Sequence, residues 1–403
     1  MAANTGNITL SSTPARSRGS RSPTPLEPLI FALVEKSGRI PFAEYMALCL
    51  YHADYGYYAR GRARTGIGGD YFTSPDLHPV FARLIARQAA EMWEMLGKPP
   101  RFTWVEMGAG RGLFAEAFIH WIRDRRPDLF AALDYVVIEA TPSAAAATME
   151  RLCSKELDQS VRAASAVDKL EPVAGCFFSN ELVDAFPVAV VTRQQNRLRE
   201  IYVTAEDGRL CETTGPITDS RIAAVMARYA PGLEESSRAE VSLGAARWIR
   251  AVGEKLVRGF VLTIDYGDLS TWLYSPARPR GTLLAYQGHT ASEDFFASPG
   301  EQDLTAHVNF SLLIDEGRAV GLEMTGFTTQ ERFLMALGEG NQFADLEDAE
   351  ATEAERLRAH LKLKTLISPE TPAGMGALFK VLIQHRGLNP LALTGLKYVH
   401  NAV

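Results

Sequence analysis

Phe102-Thr-Trp-Val-Glu-Met-Gly-Ala-Gly-Arg-Gly112 is the stretch on which the fold turns. Phe102–Val105 is apolar and short, as a buried strand requires, residues 108–112 form a glycine-rich turn, and Leu113–Arg123 continues with helical spacing. Gly108, Gly110 and Gly112 let the backbone turn tightly and approach a ligand with no Cβ in the way. The same alternation runs outward. Tyr135–Ile138 reads as the next strand, an alanine-rich helix starts near Pro142, and Val173–Ser179 is a further strand. A helix over Gly244–Val257, a strand over Phe260–Ile264 ending at Asp265-Tyr-Gly267, a helix from Phe310 to Val320 and a closing strand over Leu322–Phe327 complete the series. Strand–helix alternation implies a mostly parallel sheet wrapped by helices, an α/β chain with a Rossmann-like core.

Around that core the 403 residues divide as follows. Residues 1–25 are rich in Ser, Thr, Pro and Ala, basic and free of acids, and read as a disordered tail. Residues 26–100 form an N-terminal helical cover. It has a helix around Leu29–Val34 stopped by Gly38, another at Phe42–Leu50, a glycine- and tyrosine-rich segment, and an amphipathic helix at Pro79–Leu96. Residues 101–187 are the first part of the core, 188–243 an inserted smaller lobe opening with a β-hairpin at Val188–Thr204, 244–340 the second part of the core, and 341–403 a C-terminal region. Within the last, Asp345–Glu355 reads as a solvated acidic helix face.

Composition bounds the function. The net charge of −6 argues against a dedicated nucleic-acid binder, and no apolar run approaches the ~20 residues of a membrane span. Cys49, Cys153, Cys176 and Cys211 form neither a C-x-x-C pair nor a zinc pattern, so buried free thiols and no metal site are expected. A basic, serine-rich start also suits a mitochondrial transit peptide, but apolar residues are sparse for an amphipathic helix. A cytoplasmic location is expected, with the mitochondrial matrix as the alternative.

The glycine spacing is G-x-G-x-G, whereas dinucleotide sites use G-x-G-x-x-G and rest a pyrophosphate on the helix start. Glu106 at the strand end would repel that pyrophosphate. S-adenosylmethionine carries an ammonium and a sulfonium and no phosphate, and an acid beside it is helpful. Glu139, after the second strand, is placed to accept both ribose hydroxyls of an adenosine. Glu106, Gly108, Gly110, Gly112 and Glu139 are therefore the candidate cofactor residues. The alternatives are an NAD(P)-dependent oxidoreductase and a non-catalytic assembly factor on the same fold.

The chain resembles the methyltransferase family that includes the mitochondrial complex I assembly methyltransferase and its bacterial relatives, sometimes called the MidA family. The likeness runs from about Pro41 to about Gly338. It rests on Tyr55-Gly-Tyr-Tyr58, Gly69-Asp-Tyr-Phe-Thr-Ser-Pro75, the glycine loop, Ser179-Asn-Glu-Leu-Val-Asp-Ala-Phe-Pro187, Asp265-Tyr-Gly267 and Pro299-Gly-Glu-Gln-Asp-Leu-Thr-Ala-His-Val308, in that order. Met107 and Ala109 stand where Leu and Pro are common, and Asp76 where Glu is common. The resemblance implies S-adenosylmethionine-dependent transfer to a protein arginine, with a subunit of NADH dehydrogenase as the possible target.

A cationic arginine needs carboxylates in a bidentate fork. Glu181 and Asp184 lie three apart, so a helical turn would place both on one face as guanidinium holders, with Asn180 offering a carbonyl oxygen to the reacting nitrogen. Asp70, Thr73 and Ser74 are expected on the opposite wall, from the glycine-rich cover. Asp265 at a strand end is a further acid, although Asp-Tyr-Gly equally suits a tight turn. His307 reads as a satisfied structural histidine.

Overall fold

The structure, a computed structural model, describes residues 22–59, 70, 73–157, 160–346, 352–368, 375–389 and 392–399. The disordered-tail expectation for residues 1–21 lies outside these. Thr24, placed in that tail by the sequence, is buried, and its hydroxyl donates to Pro299 O at 2.8 Å.

The main sheet has seven long strands: β1 Phe102–Met107, β2 Leu133–Ile138, β3 Val161–Ala164, β4 Val173–Asn180, β5 Leu256–Asp268, β6 Glu323–Thr329 and β7 Phe379–Arg386. Their spatial order is β6-β7-β5-β4-β1-β2-β3, with the short strand Val308–Asn309 beside the end of β5. From β3 to β5 all pairs are parallel, and β7 runs antiparallel between β5 and β6. Every residue of β1 is buried, as expected of a strand covered on both faces. One face packs on helices Val80–Met95 and Leu113–Arg125, the other on Leu243–Lys255 and Phe310–Ala319. Phe114, Phe118, Trp104 and Phe178 stack at 4.4–5.4 Å between centroids and clamp the helix after the glycine loop to the sheet.

The closing strand expected at Leu322–Phe327 is present, but β7 separates it from β5, and no strand was expected in the C-terminal region. Asp265-Tyr-Gly267 is not a tight turn. It continues β5, with Gly267 packed against the Val308 backbone. Asp345 is buried and takes hydrogen bonds from Trp121, Arg87 and Asn341, so it belongs to no solvated face; residues 347–351 lie outside the described set. Cys49 and Cys176 are buried free thiols as expected, whereas Cys153 is exposed.

The hairpin at Val188–Thr204 is strands Ala189–Gln194 and Arg197–Glu206 of a five-stranded sheet, to which Ile40–Pro41 adds an edge. Helices Glu27–Ser37 and Phe42–Tyr51 share their core with this lobe and with residues 283–306. Helix Val80–Met95 packs instead on the main sheet. Among the described residues no helix is long and apolar enough to cross a membrane.

Candidate active site

The glycine loop joins β1 to helix Leu113–Arg125 with Gly108, Gly110 and Gly112 at φ 77°, 54° and 71°, a region that side-chain-bearing residues rarely occupy. Space within 4 Å of a Cβ at Gly110 is open, while a Cβ at Gly108 would meet Leu182 Cδ1 at 3.1 Å. The loop therefore touches the Asn180–Asp184 segment. Glu139 at the end of β2 accepts the Gly110 N–H at 2.6 Å and so shapes the loop directly.

Glu106 does not project from the strand end. It is buried on the face of the sheet that carries Trp104, and Tyr135 Oη donates to its Oε2 at 2.6 Å. Burial pushes its carboxyl up to about 8, the Tyr135 hydroxyl acting against this and the Glu139 charge adding to it.

The residues after β4 form no helical turn. Glu181 sits at φ 52°, and the chain through Asp184 is an irregular loop held from below by Asp265. Asp265 Oδ2 accepts the Leu182 and Val183 amides at 3.1 and 2.8 Å, and its Oδ1 accepts the Tyr266 amide at 2.9 Å. A left-handed non-glycine residue costs on the order of 1–3 kcal/mol and persists where its surroundings over-determine it. These amides do so, and the result brings both acids to the carboxyl edge of the sheet.

Glu181 Oε1 accepts from Ser74 N at 3.2 Å and from Asn180 Nδ2 at 3.0 Å. Burial pushes Glu181 up to about 8, with the Asp265 and Asp76 charges adding to the rise. Asp184 is buried and lies well above the usual carboxylate range, through burial first and then the Asp265, Glu181 and Asp303 charges. The Asn180 carbonyl oxygen is buried with no partner among the described residues.

Of the three cover residues expected here, Ser74 reaches Glu181 through its backbone amide, and Asp70 and Thr73 make other contacts. Thr73 spends its hydroxyl on Asp76 at 2.7 Å, and Asp70 ties Tyr57 Oη to the Gly288 amide at 2.8 and 2.7 Å. His307 is not fully satisfied. Its Nδ1 lacks a partner among the described residues, and burial lowers its pKa to about 3, which leaves it neutral and a poor base.

Four contributors were not assigned from sequence: Asp303, Tyr58, Tyr51 and Tyr286. Tyr58 Oη donates to Asp303, Tyr51 Oη donates to Ala185 O at 3.0 Å, and the Asp184 and Asp303 charges both act on Tyr51 and Tyr286. Tyr58 and Asp303 both stand in motifs quoted above, which was the available signal. The whole is a cluster of carboxylates and tyrosines beside the segment that touches the glycine loop.

That chemistry fits a donor bearing an ammonium and a sulfonium. The loop is flanked by Glu106 and Glu139, and the side chain of Arg111 is turned to Asp76 at 3.2 Å. Glu106, Glu139 and the glycine backbone would hold the donor. A pyrophosphate would meet the Glu139 carboxylate already seated on the Gly110 amide.

Comparison with known proteins agrees. A solved Burkholderia thailandensis protein bound to S-adenosyl-homocysteine is 31% identical and superposes with a TM-score of 0.83, over 94% of this chain and 98% of that one. The mitochondrial protein arginine methyltransferase NDUFAF7 homolog of Drosophila melanogaster is 28% identical over 383 residues, 89% of this chain and 84% of its own length. The human mitochondrial protein arginine methyltransferase NDUFAF7 is 24% identical over 94% of this chain and 87% of its own. Residues 84–328 match the family model as well, and the chain belongs to the S-adenosyl-L-methionine-dependent methyltransferase family.

Proposed function

We propose that this methyltransferase acts on an arginine side chain of a protein, with Glu181 and Asp184 holding the guanidinium and the Asn180 carbonyl oxygen directing the reacting nitrogen. The observation that carries this is the unpartnered Asn180 oxygen beside two raised carboxylates at the sheet edge that touches the glycine loop. Acids kept partly protonated by burial and by one another are returned to their charged form by an incoming cation. The names of the relatives, protein arginine methyltransferases, support the acceptor class. A subunit of NADH dehydrogenase is the specific target that the family resemblance implies for the mitochondrial branch. The relatives' mitochondrial names fit the matrix alternative and lend no support to the cytoplasmic one.

When bound, S-adenosylmethionine supplies an electrophilic methyl carbon on a sulfonium. The protein's part is to place one guanidinium nitrogen and to manage a proton. The acceptor is a cation before and after the reaction, so each methyl gained is balanced by an N–H proton lost to the site. Asp184 is the group placed to take it, because burial and three neighbouring acids raise its proton affinity. The tyrosines around it keep water from the pocket, which strengthens every charge interaction within.

The test is mass spectrometry of arginine methylation in cells with and without the gene, followed by transfer of labelled methyl from S-adenosylmethionine to the recovered acceptor. Loss of a methylarginine on deletion and its restoration in vitro is expected. Labelling confined to lysine or to a small molecule would overturn the acceptor class.

A further inference from the structure

Helix Ser74–Leu77 has four residues, yet its start is fixed on every side. Asp76 Oδ2 accepts from Thr73 N at 3.1 Å and from Thr73 Oγ1 at 2.7 Å, which closes a capping box. Asp76 Oδ1 accepts from Arg111 Nη1 at 3.2 Å, and Arg111 lies between Gly110 and Gly112 of the donor loop. Ser74 Oγ donates to Gln330 Oε1 at 3.3 Å, and Gln330 Nε2 donates to Leu366 O at 3.1 Å, anchoring the same turn to the core. The Ser74 N–H then points the other way, onto Glu181 Oε1. The Asp76 side chain is 3% exposed although its partner Arg111 is 50% exposed, so its carboxylate is committed to these contacts.

Glu181 depends on this support. Its backbone is left-handed, and its Oε1 is held by two donors, the Ser74 amide and the Asn180 side chain. We propose that Asp76 is a positioning residue: one of its oxygens sets the helix start whose Ser74 amide aims Glu181 at the acceptor, while the other pairs with the half-exposed Arg111 side chain, a contact on which donor binding does not depend. Glutamate at this position of a capping box makes the same reciprocal bonds, so the role requires a carboxylate and tolerates the longer side chain. The inference rests on the acceptor reading above, since it concerns where Glu181 points. A displaced carboxylate of this kind costs rate out of proportion to the distance moved, on the order of 10²-fold per ångström.

The experiment pairs Asp76→Ala with Asp76→Glu. Donor-site affinity is read by calorimetry with S-adenosylhomocysteine. Acceptor-site affinity is read with N-acetylarginine methylamide, and with its lysine counterpart, at saturating S-adenosylhomocysteine. Turnover is read as methyl transfer to protein from cells lacking the gene. For Asp76→Ala, S-adenosylhomocysteine affinity is expected within about threefold of wild type, with arginine-probe affinity and turnover lower by about tenfold or more. Asp76→Glu is expected to restore both to within about threefold. Asp76→Asn, of equal size, repeats the measurement where the alanine variant is too unstable. An Asp76→Ala protein that binds the arginine probe and turns over like wild type overturns the proposal. So does one that loses S-adenosylhomocysteine in parallel, or one that glutamate does not rescue. A wild-type protein that binds the lysine probe as well as the arginine probe instead overturns the acceptor class. The role of Asp76 is then decided by turnover alone, where alanine must lose and glutamate restore.

Discussion

Tyr58 Oη donates to both carboxylate oxygens of Asp303, each at 3.1 Å, and so joins the N-terminal cover to a strand 245 residues away at the edge of the acceptor pocket. Asp303 is 1% exposed and its charge reaches Asp184 and Tyr51. Tyr58 stacks on Tyr51 at 5.4 Å, whose hydroxyl holds the carbonyl of Ala185, next to Asp184. Tyr58→Phe removes the hydroxyl and keeps the ring, leaving the buried Asp303 carboxylate short of one donor. Such a loss costs about 1–3 kcal/mol. The acceptor KM is expected to rise by about tenfold, with S-adenosylhomocysteine affinity unchanged in calorimetry. Equal loss at both sites would place the pair in the scaffold and not at the acceptor.

Glu181→Gln and Asp184→Asn separate acceptor from donor in the same way. Removing one carboxylate from a desolvated guanidinium fork should slow methyl transfer by on the order of 10²-fold or more. Donor affinity should stay within a few-fold. Loss of donor binding in proportion to activity in both variants would assign the segment to the donor pocket, and full activity in both would remove it from the chemistry.

The sequence carried the core because β1, β2 and β4 are short, mostly apolar segments and the glycines after β1 have one economical explanation. It did not carry β7. Phe379-Lys-Val-Leu-Ile-Gln-His-Arg386 mixes polar residues into a buried strand, and its partners β5 and β6 precede it by tens of residues, so only the completed sheet explains it. The placement of Glu106 was legible in principle. Alternation along β1 puts it on the face of Trp104, within reach of the Tyr135 hydroxyl of the neighbouring strand. Three-residue spacing suggested a helical turn for Glu181 and Asp184. The backbone took a different path because a remote carboxylate, Asp265, offered its amides better partners. The Tyr58–Asp303 contact lay beyond any local reading, since spacing along the chain says nothing about residues brought together by the lobe.

Two glycine substitutions distinguish binding from folding. Gly110 is left-handed with open space around a built Cβ, so Gly110→Val strains the loop locally and fills room the donor needs. S-adenosylhomocysteine binding should be lost while the melting transition shifts by a few degrees at most. Gly259 sits where three strands run side by side, and a Cβ there would lie 1.9 Å from Gly175 O at φ 137°. Gly259→Ala has no side chain to push aside, only backbone, and should destabilise by roughly 3 kcal/mol or more. Donor affinity should be retained at low temperature. Differential scanning calorimetry with and without S-adenosylhomocysteine checks both, and a Gly110→Val protein with full donor affinity would remove the loop from the donor site.

The buried acids make stability depend on pH in a stated direction. Burial pushes Glu106 and Glu181 up to about 8 from an ordinary 4.5, and Asp265 up to about 7 from 3.8. The unfolded chain ionises these groups near their ordinary values, so between the two sets of values the folded protein binds more protons than the unfolded one. The unfolding free energy therefore falls as pH rises, by at most about 1.4 kcal/mol per pH unit for each group. The stability is fully present below the unfolded values and is lost on the way up to the folded ones. The ligand-free protein should melt higher near about pH 5.5 than near about pH 8, and Glu106→Gln should flatten part of that slope. An ammonium placed beside Glu106 favours its charged form. S-adenosylhomocysteine should accordingly raise the melting temperature more at the higher pH and release protons there, measurable as a dependence of the binding enthalpy on buffer ionisation enthalpy. A melting temperature that rises across this window, or a ligand effect that shrinks with pH, would mean that the acids are ionised in the folded protein, each already paired with a cation.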